Sequence, residues 1–151
     1  VRLTCHTDYS LRLLMLLALE PGRLHTIEEV ASRYGVSRNH LMKVALTLAR
    51  GGFVESVRGR GGGLRLARPA AAIGVGAVVR ATEDNFDIVE CFDQGGNNCS
   101  VTSACRLKRV LHEAVSDFLK ALDRHTLADL VASPAASRRM RQLLPVSVVS
   151  G

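Results

Sequence analysis

Apolar positions recur at helical spacing along most of the chain and alternate over only two short stretches. In residues 8–19, Leu11, Leu14, Met15 and Ala18 share one face, which predicts an amphipathic helix. Pro21-Gly22 ends it. Thr26 followed by Glu29 is a capping box ahead of Val30 and Ala31, so a second helix is expected from Thr26 to about Tyr34. Gly35-Val36-Ser37 reads as a tight turn, with Ser37 the N-cap of a third helix over Arg38–Arg50. Leu41, Val44, Ala45 and Leu48 face inward there, and Arg38, Asn39, His40, Lys43 and Thr47 are left outward.

After Gly51-Gly52 the period changes to two. Phe53–Val57 and Leu64–Leu66 alternate as strands, and between them Arg58-Gly59-Arg60-Gly61-Gly62-Gly63 forms a glycine-rich hairpin tip carrying two arginines. Residues 74–82 read as a short helix, 84–102 as a loop, and about Ser103 to Arg124 as the longest helix. That helix has two apolar stripes: Leu107, Leu111, Ala114, Phe118 and Ala121 in one, Val115, Leu119 and Leu122 in the other. One stripe suits docking on the parent domain, the other a partner helix. The pattern predicts a mainly α fold, a winged helix-turn-helix with a two-stranded wing and a long C-terminal dimerisation helix. The expected division is a winged-helix domain over 1–82, a cysteine-bearing loop over 83–102, the dimerisation helix over 103–132 and a flexible tail over 133–151.

Composition sharpens this reading. Apolar residues make up 47% of the chain but aromatics only 4%, so the core must be built from Leu, Val and Ala, which favours helices. The net charge of +6 implies a polyanionic partner, with nucleic acid the first candidate. The apolar run at 11–19 is too short to span a bilayer and contains Arg12, so no signal peptide or membrane association is expected and the cytoplasm is the expected location.

Two helices joined by a glycine-containing turn and followed by a basic hairpin place the third helix in a DNA major groove. Its first half offers Ser37, Arg38, Asn39, His40 and Lys43. Arg can read guanine and Asn adenine, while Lys suits phosphates. Arg58 and Arg60, on the flexible wing tip, can follow the backbone or enter a narrow minor groove.

The remaining chemistry lies in cysteine. Three of the four cysteines, Cys91, Cys99 and Cys105, fall within 15 residues, around Gly95-Gly96. Clustered thiols in a reducing compartment bind metal more often than they pair, and soft thiolates suit a zinc ion or an iron–sulfur cluster. Three thiolates leave an iron–sulfur cluster short of ligands. Zinc held by three Cys and one further residue stays open on these grounds. Cys5 reads as a free thiol in a partly buried N-terminal segment.

Several segments carry a family resemblance over about residues 2–132: Leu3-Thr4 with Thr7-Asp8-Tyr9, Gly35-Val36-Ser37-Arg38-Asn39-His40, Val57-Arg58-Gly59 and Gly62-Gly63 in the amino-terminal half, and Ala104-Cys105-Arg106-Leu107-Lys108 and Thr126-Leu127-Ala128-Asp129-Leu130 in the other. On these the chain resembles the NsrR family of bacterial nitric-oxide-sensing repressors, within the wider winged-helix family that also holds IscR. The resemblance implies an iron–sulfur cluster on Cys91, Cys99 and Cys105, four-iron preferred and two-iron the alternative. It also implies that Asp8 supplies a fourth ligand across a homodimer. IscR-like members place a His near the position of Leu107-Lys108, where this chain has none. The function implied is a repressor, not an enzyme, that leaves its near-palindromic operator when nitric oxide nitrosylates the cluster. A regulator sensing iron, cluster supply or redox state, or a zinc-stabilised DNA-binding protein with no sensing role, are the alternatives.

Overall fold

The computed structural model describes residues 1–146 of the chain. Helix α1 (Cys5–Leu19) runs through its centre. The Thr4 hydroxyl accepts the Thr7 N–H at 3.2 Å, so the helix starts ahead of the periodic residues that predicted it. Leu13, Leu14, Leu16, Leu17 and Leu19 are all buried. The expected single apolar face is therefore too narrow: later elements pack around most of this helix.

Helices α2 (Ile27–Tyr34) and α3 (Arg38–Arg50) follow. The Thr26 hydroxyl accepts the Glu29 N–H, and the Ser37 hydroxyl accepts that of His40. Between the helices, Gly35 takes the left-handed conformation (φ 66°) that closes α2 and redirects the chain. The predicted inward residues Leu41, Val44, Ala45 and Leu48 are buried. Strands β1 (Val54–Val57) and β2 (Gly63–Leu66) pair antiparallel, with Val54 opposite Leu66 and Val57 opposite Gly63. Leu64 also exchanges two backbone hydrogen bonds with His25, at 2.7 and 3.0 Å, which ties the wing to the connection before α2.

Helix α4 (Val75–Thr82) packs on α1, where the Thr82 hydroxyl donates to that of Thr7 at 2.9 Å. The long helix α5 spans Arg106–Asp123, with Cys105 as its N-cap. It docks on α4, anchored by the Arg80–Asp123 ion pair. A Cβ at Gly76 would overlap the Asp123 carboxylate, so glycine is what allows this approach. Leu111, Val115, Leu119 and Leu122 are half-buried, while Leu107 (61%), Val110 (57%) and Phe118 (38%) stand exposed. Leu111, which its spacing groups with Leu107 and Phe118, is thus less exposed than either. Helix α6 (Leu127–Leu130) is closed by the Thr126/Asp129 capping box and sends Leu127 into the core.

The expected flexible tail is corrected over most of its length. Helix α7 (Pro134–Leu143) is capped by Ser133 and has Pro134 in its first turn, where a missing N–H costs nothing. Its end is fastened to the DNA-binding unit. Arg33 donates to the Leu144 carbonyl at 2.7 Å, Arg141 donates to that of Leu19 at 3.1 Å, and Leu144 packs against the core. Residues 147–151 lie outside the described residues.

Beneath α7 lies a buried charge network. The Arg33 side chain, 2% exposed, meets Glu20 at 2.6 Å, and His25, fully buried, meets the same carboxylate at 3.0 Å. Burial pushes the Glu20 carboxyl up, but its hydrogen bonds to Arg33 and His25 outweigh that and hold its pKa below the ordinary 4.5. Arg33→Ala should cost about 3 kcal/mol by urea denaturation, because Glu20 loses its nearest cation and keeps only His25 and the longer, half-exposed contact with Arg23 at 3.6 Å. Since the folded-state pKa of Glu20 is depressed, its contribution is complete above the ordinary value and is lost as pH falls through the depressed one. The urea midpoint should therefore drop on acidification below about pH 4.5, and less steeply for Glu20→Gln.

Candidate nucleic-acid interface and metal centre

Helix α3 presents its outward face beside the wing. Ser37, Arg38, Asn39 and Lys43 are all exposed. Arg38 is not free: its guanidinium pairs with Glu28 of α2 at 2.8 Å. The Glu28 carboxyl is held below its ordinary pKa by its own backbone N–H and then by Arg38. This pair fixes the arginine over the helix-turn-helix corner. His40 is half-buried, its ring edge-on to Tyr9 of α1 at 4.7 Å and stacked with His6 at 6.2 Å. The sequence reading assigned His40 to DNA; the geometry gives its ring a packing role between α1 and α3. Met42 (49% exposed) and Leu46 (52%) stand on the same outward face. Helical spacing alone puts both beside Asn39 and Lys43, away from the inward residues Leu41, Val44, Ala45 and Leu48.

Arg58 and Arg60 are exposed at the tip between β1 and β2, and among the described residues neither pairs with a carboxylate. Both remain open to phosphates. Asn39, Met42 and Lys43 thus stand exposed on α3, and Arg58 and Arg60 at the wing tip.

All four cysteines are free thiols. Cys5 is exposed at the first residue of α1, which corrects the partly buried setting expected for it. Cys91 lies in a single 3-10 turn over Glu90–Phe92, half-exposed. That turn is clamped to α5 by the Phe92 ring, stacked on His112 at 3.8 Å. The loop then folds on itself. Asn97 accepts the Cys99 N–H, Thr102 donates to the Cys99 carbonyl, and Glu90 accepts the Asn98 N–H, each at 2.9 Å. Cys105, at the N-terminus of α5, makes no side-chain capping bond. The three thiols fit a soft metal in kind and share one loop. Among the described residues, though, no three or more His, Cys, Asp or Glu side chains converge as a metal site. Asp8 is engaged as well: Arg12 grips both its oxygens, at 3.0 and 2.8 Å. The Arg12 pKa is raised by that hydrogen bond. Arg12 is held in turn through its carbonyl, which accepts the Tyr34 hydroxyl at 2.7 Å, and burial pushes the Tyr34 pKa up to about 12.

A two-helix corner, a basic wing and an exposed polar α3 face define a winged helix-turn-helix of the DNA-binding class. Known proteins narrow the class. The chain belongs to the Rrf2 family, described as iron-dependent transcriptional regulators, whose model matches residues 3–133. It is 52% identical over 132 residues to the HTH-type transcriptional regulator NsrR of Bacillus subtilis, covering 87% of this chain and 90% of that protein. It is 45% identical over 146 residues to the NsrR of Halalkalibacterium halodurans, covering 96% and 100%. Its fold matches the solved structure of T. potens IscR with a TM-score of 0.70 at 29% identity, covering 89% of this chain and 90% of that one. Relatives named as transcriptional regulators bear out the expectation of a regulator and not an enzyme. No helix among the described residues is long and apolar enough to cross a membrane.

Proposed function

We propose that this chain is a homodimeric, cytoplasmic transcriptional repressor. It binds a near-palindromic operator in double-stranded DNA and carries an iron–sulfur cluster. Specific binding is lost when nitric oxide reacts at that cluster. One observation carries the reading: three free thiols between the winged helix and α5, in a chain 52% identical to a regulator named NsrR. Cys91, Cys99 and Cys105 would hold the cluster, four-iron in preference to two-iron, with Asp8 of a second copy as the oxygen donor. When bound, the cluster supplies iron that nitric oxide can attack.

The chain's own residues supply the linkage. The clamp of Phe92 on His112 fixes one end of the loop to α5, and Cys105 fixes the other. Asp8 would reach the cluster while sharing its carboxylate with Arg12 or giving that partner up, which would tie the ligand to the first turns of α1. His6 and Tyr9, on those same turns, rest on His40 of the recognition helix. A carboxylate is a harder and more easily displaced ligand than a thiolate. The contact with His40 would link the first turns of α1 to the recognition helix, and a coupling of about 1–3 kcal/mol would make a useful switch.

Anaerobically purified protein should be brown. In mobility shifts on its operator, specific binding should fall as nitric oxide bleaches the visible spectrum. Undiminished binding after complete bleaching would favour a regulator of iron or cluster supply, which the family description also fits. A colourless protein containing zinc would leave only the zinc-stabilised reading.

A further inference from the structure

Two large apolar side chains on α3 have no use in the fold. Met42 and Leu46 are 49% and 52% exposed, one helical turn apart, and neither belongs to the core cluster. Isolated exposed apolar residues are ordinary. These two are not isolated: they alternate with polar ones along one edge, in the order Asn39, Met42, Lys43, Leu46. The steps are three, one and three residues, the spacing with which the third helix of a homeodomain reads the major groove. From Asn39 to Leu46 the edge runs about 10 Å at 1.5 Å per residue, roughly the rise of three base pairs.

We propose that Met42 and Leu46 contact the C5-methyl groups of thymines in the operator, so that part of the sequence is read by apolar contact between the polar contacts of Asn39 and Lys43. The inference rests on α3 being the recognition helix and names what part of its face would read. Thymine is the one base with an apolar group in the major groove, and an apolar side chain is what recognises it. Two further observations favour a duplex over a protein as the occupant. The pair is continuous with the exposed Asn39, Lys43 and Arg50 on α3, and the same unit exposes Arg58 and Arg60 at its wing tip, neither paired with a carboxylate among the described residues. Such a surface complements phosphate on either side of an apolar strip.

The test starts from sites selected out of random duplex DNA by anaerobically purified full-length protein. Each thymine of the best site is then replaced singly by deoxyuridine, which lacks only the methyl group. Wild type should lose about fourfold in affinity at one or two positions per half-site, the value of one buried methyl. Met42→Ala and Leu46→Ala should each bind the thymine site more weakly and be indifferent to deoxyuridine at one of those positions. Both residues are exposed, so thermal melting should match wild type. Deoxyuridine penalties that persist in both variants would mean that the methyl acts through DNA shape, and would overturn the proposal. So would a wild type indifferent to deoxyuridine, or variants that change only the oligomeric state. Failure to select any site would instead remove α3 as a recognition helix, and the methyl readout with it.

Discussion

Alanine at any one of Cys91, Cys99 or Cys105 should abolish the visible absorbance of the anaerobic protein and weaken operator binding about 10- to 100-fold. The size of the effect follows from ligand number. Three thiols from one loop already leave a cluster short of donors, and two cannot hold it. The fold should survive. The loop's hydrogen bonds among Asn97, Cys99 and Thr102 involve backbone and amide groups, not thiols, and the core on α1 lies elsewhere. The melting of the winged helix should therefore change little while specific binding collapses toward the non-specific level. Cys5→Ala is the control, since that thiol is exposed on α1 outside the loop, and its spectrum and binding should match wild type. Asp8→Ala should differ from both: the three thiols stay, so colour should persist in part, but Arg12 loses its partner and the response to nitric oxide should change. Iron content, absorbance and mobility shifts on these variants check the set. Full colour in all three cysteine variants would remove these residues as ligands.

What could be read from the sequence depended on whether a residue's role is local. Caps and turns are local: Thr26, Gly35 and Ser37 announced the ends of α2 and α3, and all three act there through their own hydroxyls or φ angle. The wing was equally legible, because alternation and a glycine tip belong to one hairpin. Helix α1 was read too narrowly, since a helix enclosed by α3, α4, β2 and α6 has no single buried face, and only the tertiary packing shows it. Helix α7 was missed because Arg138, Arg139 and Arg141 made the segment look solvated, and the residues that fasten it, Arg33 and Leu19, lie more than 100 positions away. At the site, the thiol cluster was plain from spacing. The grip of Arg12 on Asp8 and the seat of His40 under Tyr9 were not; the former needs a rotamer, the latter an interhelical contact. The same limit applies to α5: periodicity finds its two stripes but not how far each residue is covered, and Leu111 is half-buried where Leu107 and Phe118 are exposed.

The exposure along α5 sets the last expectation. Val110→Glu with Phe118→Glu should convert the protein to a folded monomer, whereas Leu111→Glu, at a half-buried position, should destabilise the fold. In the first pair the new carboxylates stand in water in the monomer, because both positions are already exposed, and surface substitutions of this kind cost little. In a dimer packed through the outward stripe they would be desolvated and face their own copies across a two-fold axis. The stripe is well suited to such a contact. Leu107, Val110 and Phe118 are exposed on an 18-residue helix, and Ala114 and Phe118 border an open groove whose far wall includes Leu3, Phe86 and Ile88. Fully burying one such side chain is worth about 1.5–3 kcal/mol, so a few from each copy outweigh the cost of association. The consequence for DNA is large. Two recognition helices on one dimer engage half-sites whose centres lie about 10–10.5 bp apart, or a multiple of it. A monomer engages one, and loses the factor of about 10²–10⁴ that joining two modules confers. Sedimentation of the variants at micromolar concentration, beside mobility shifts on full and half operators, decides the point. A wild type that sediments as a monomer with its cluster present, or a double variant (Val110→Glu with Phe118→Glu) that stays dimeric, would place the subunit contact somewhere other than α5.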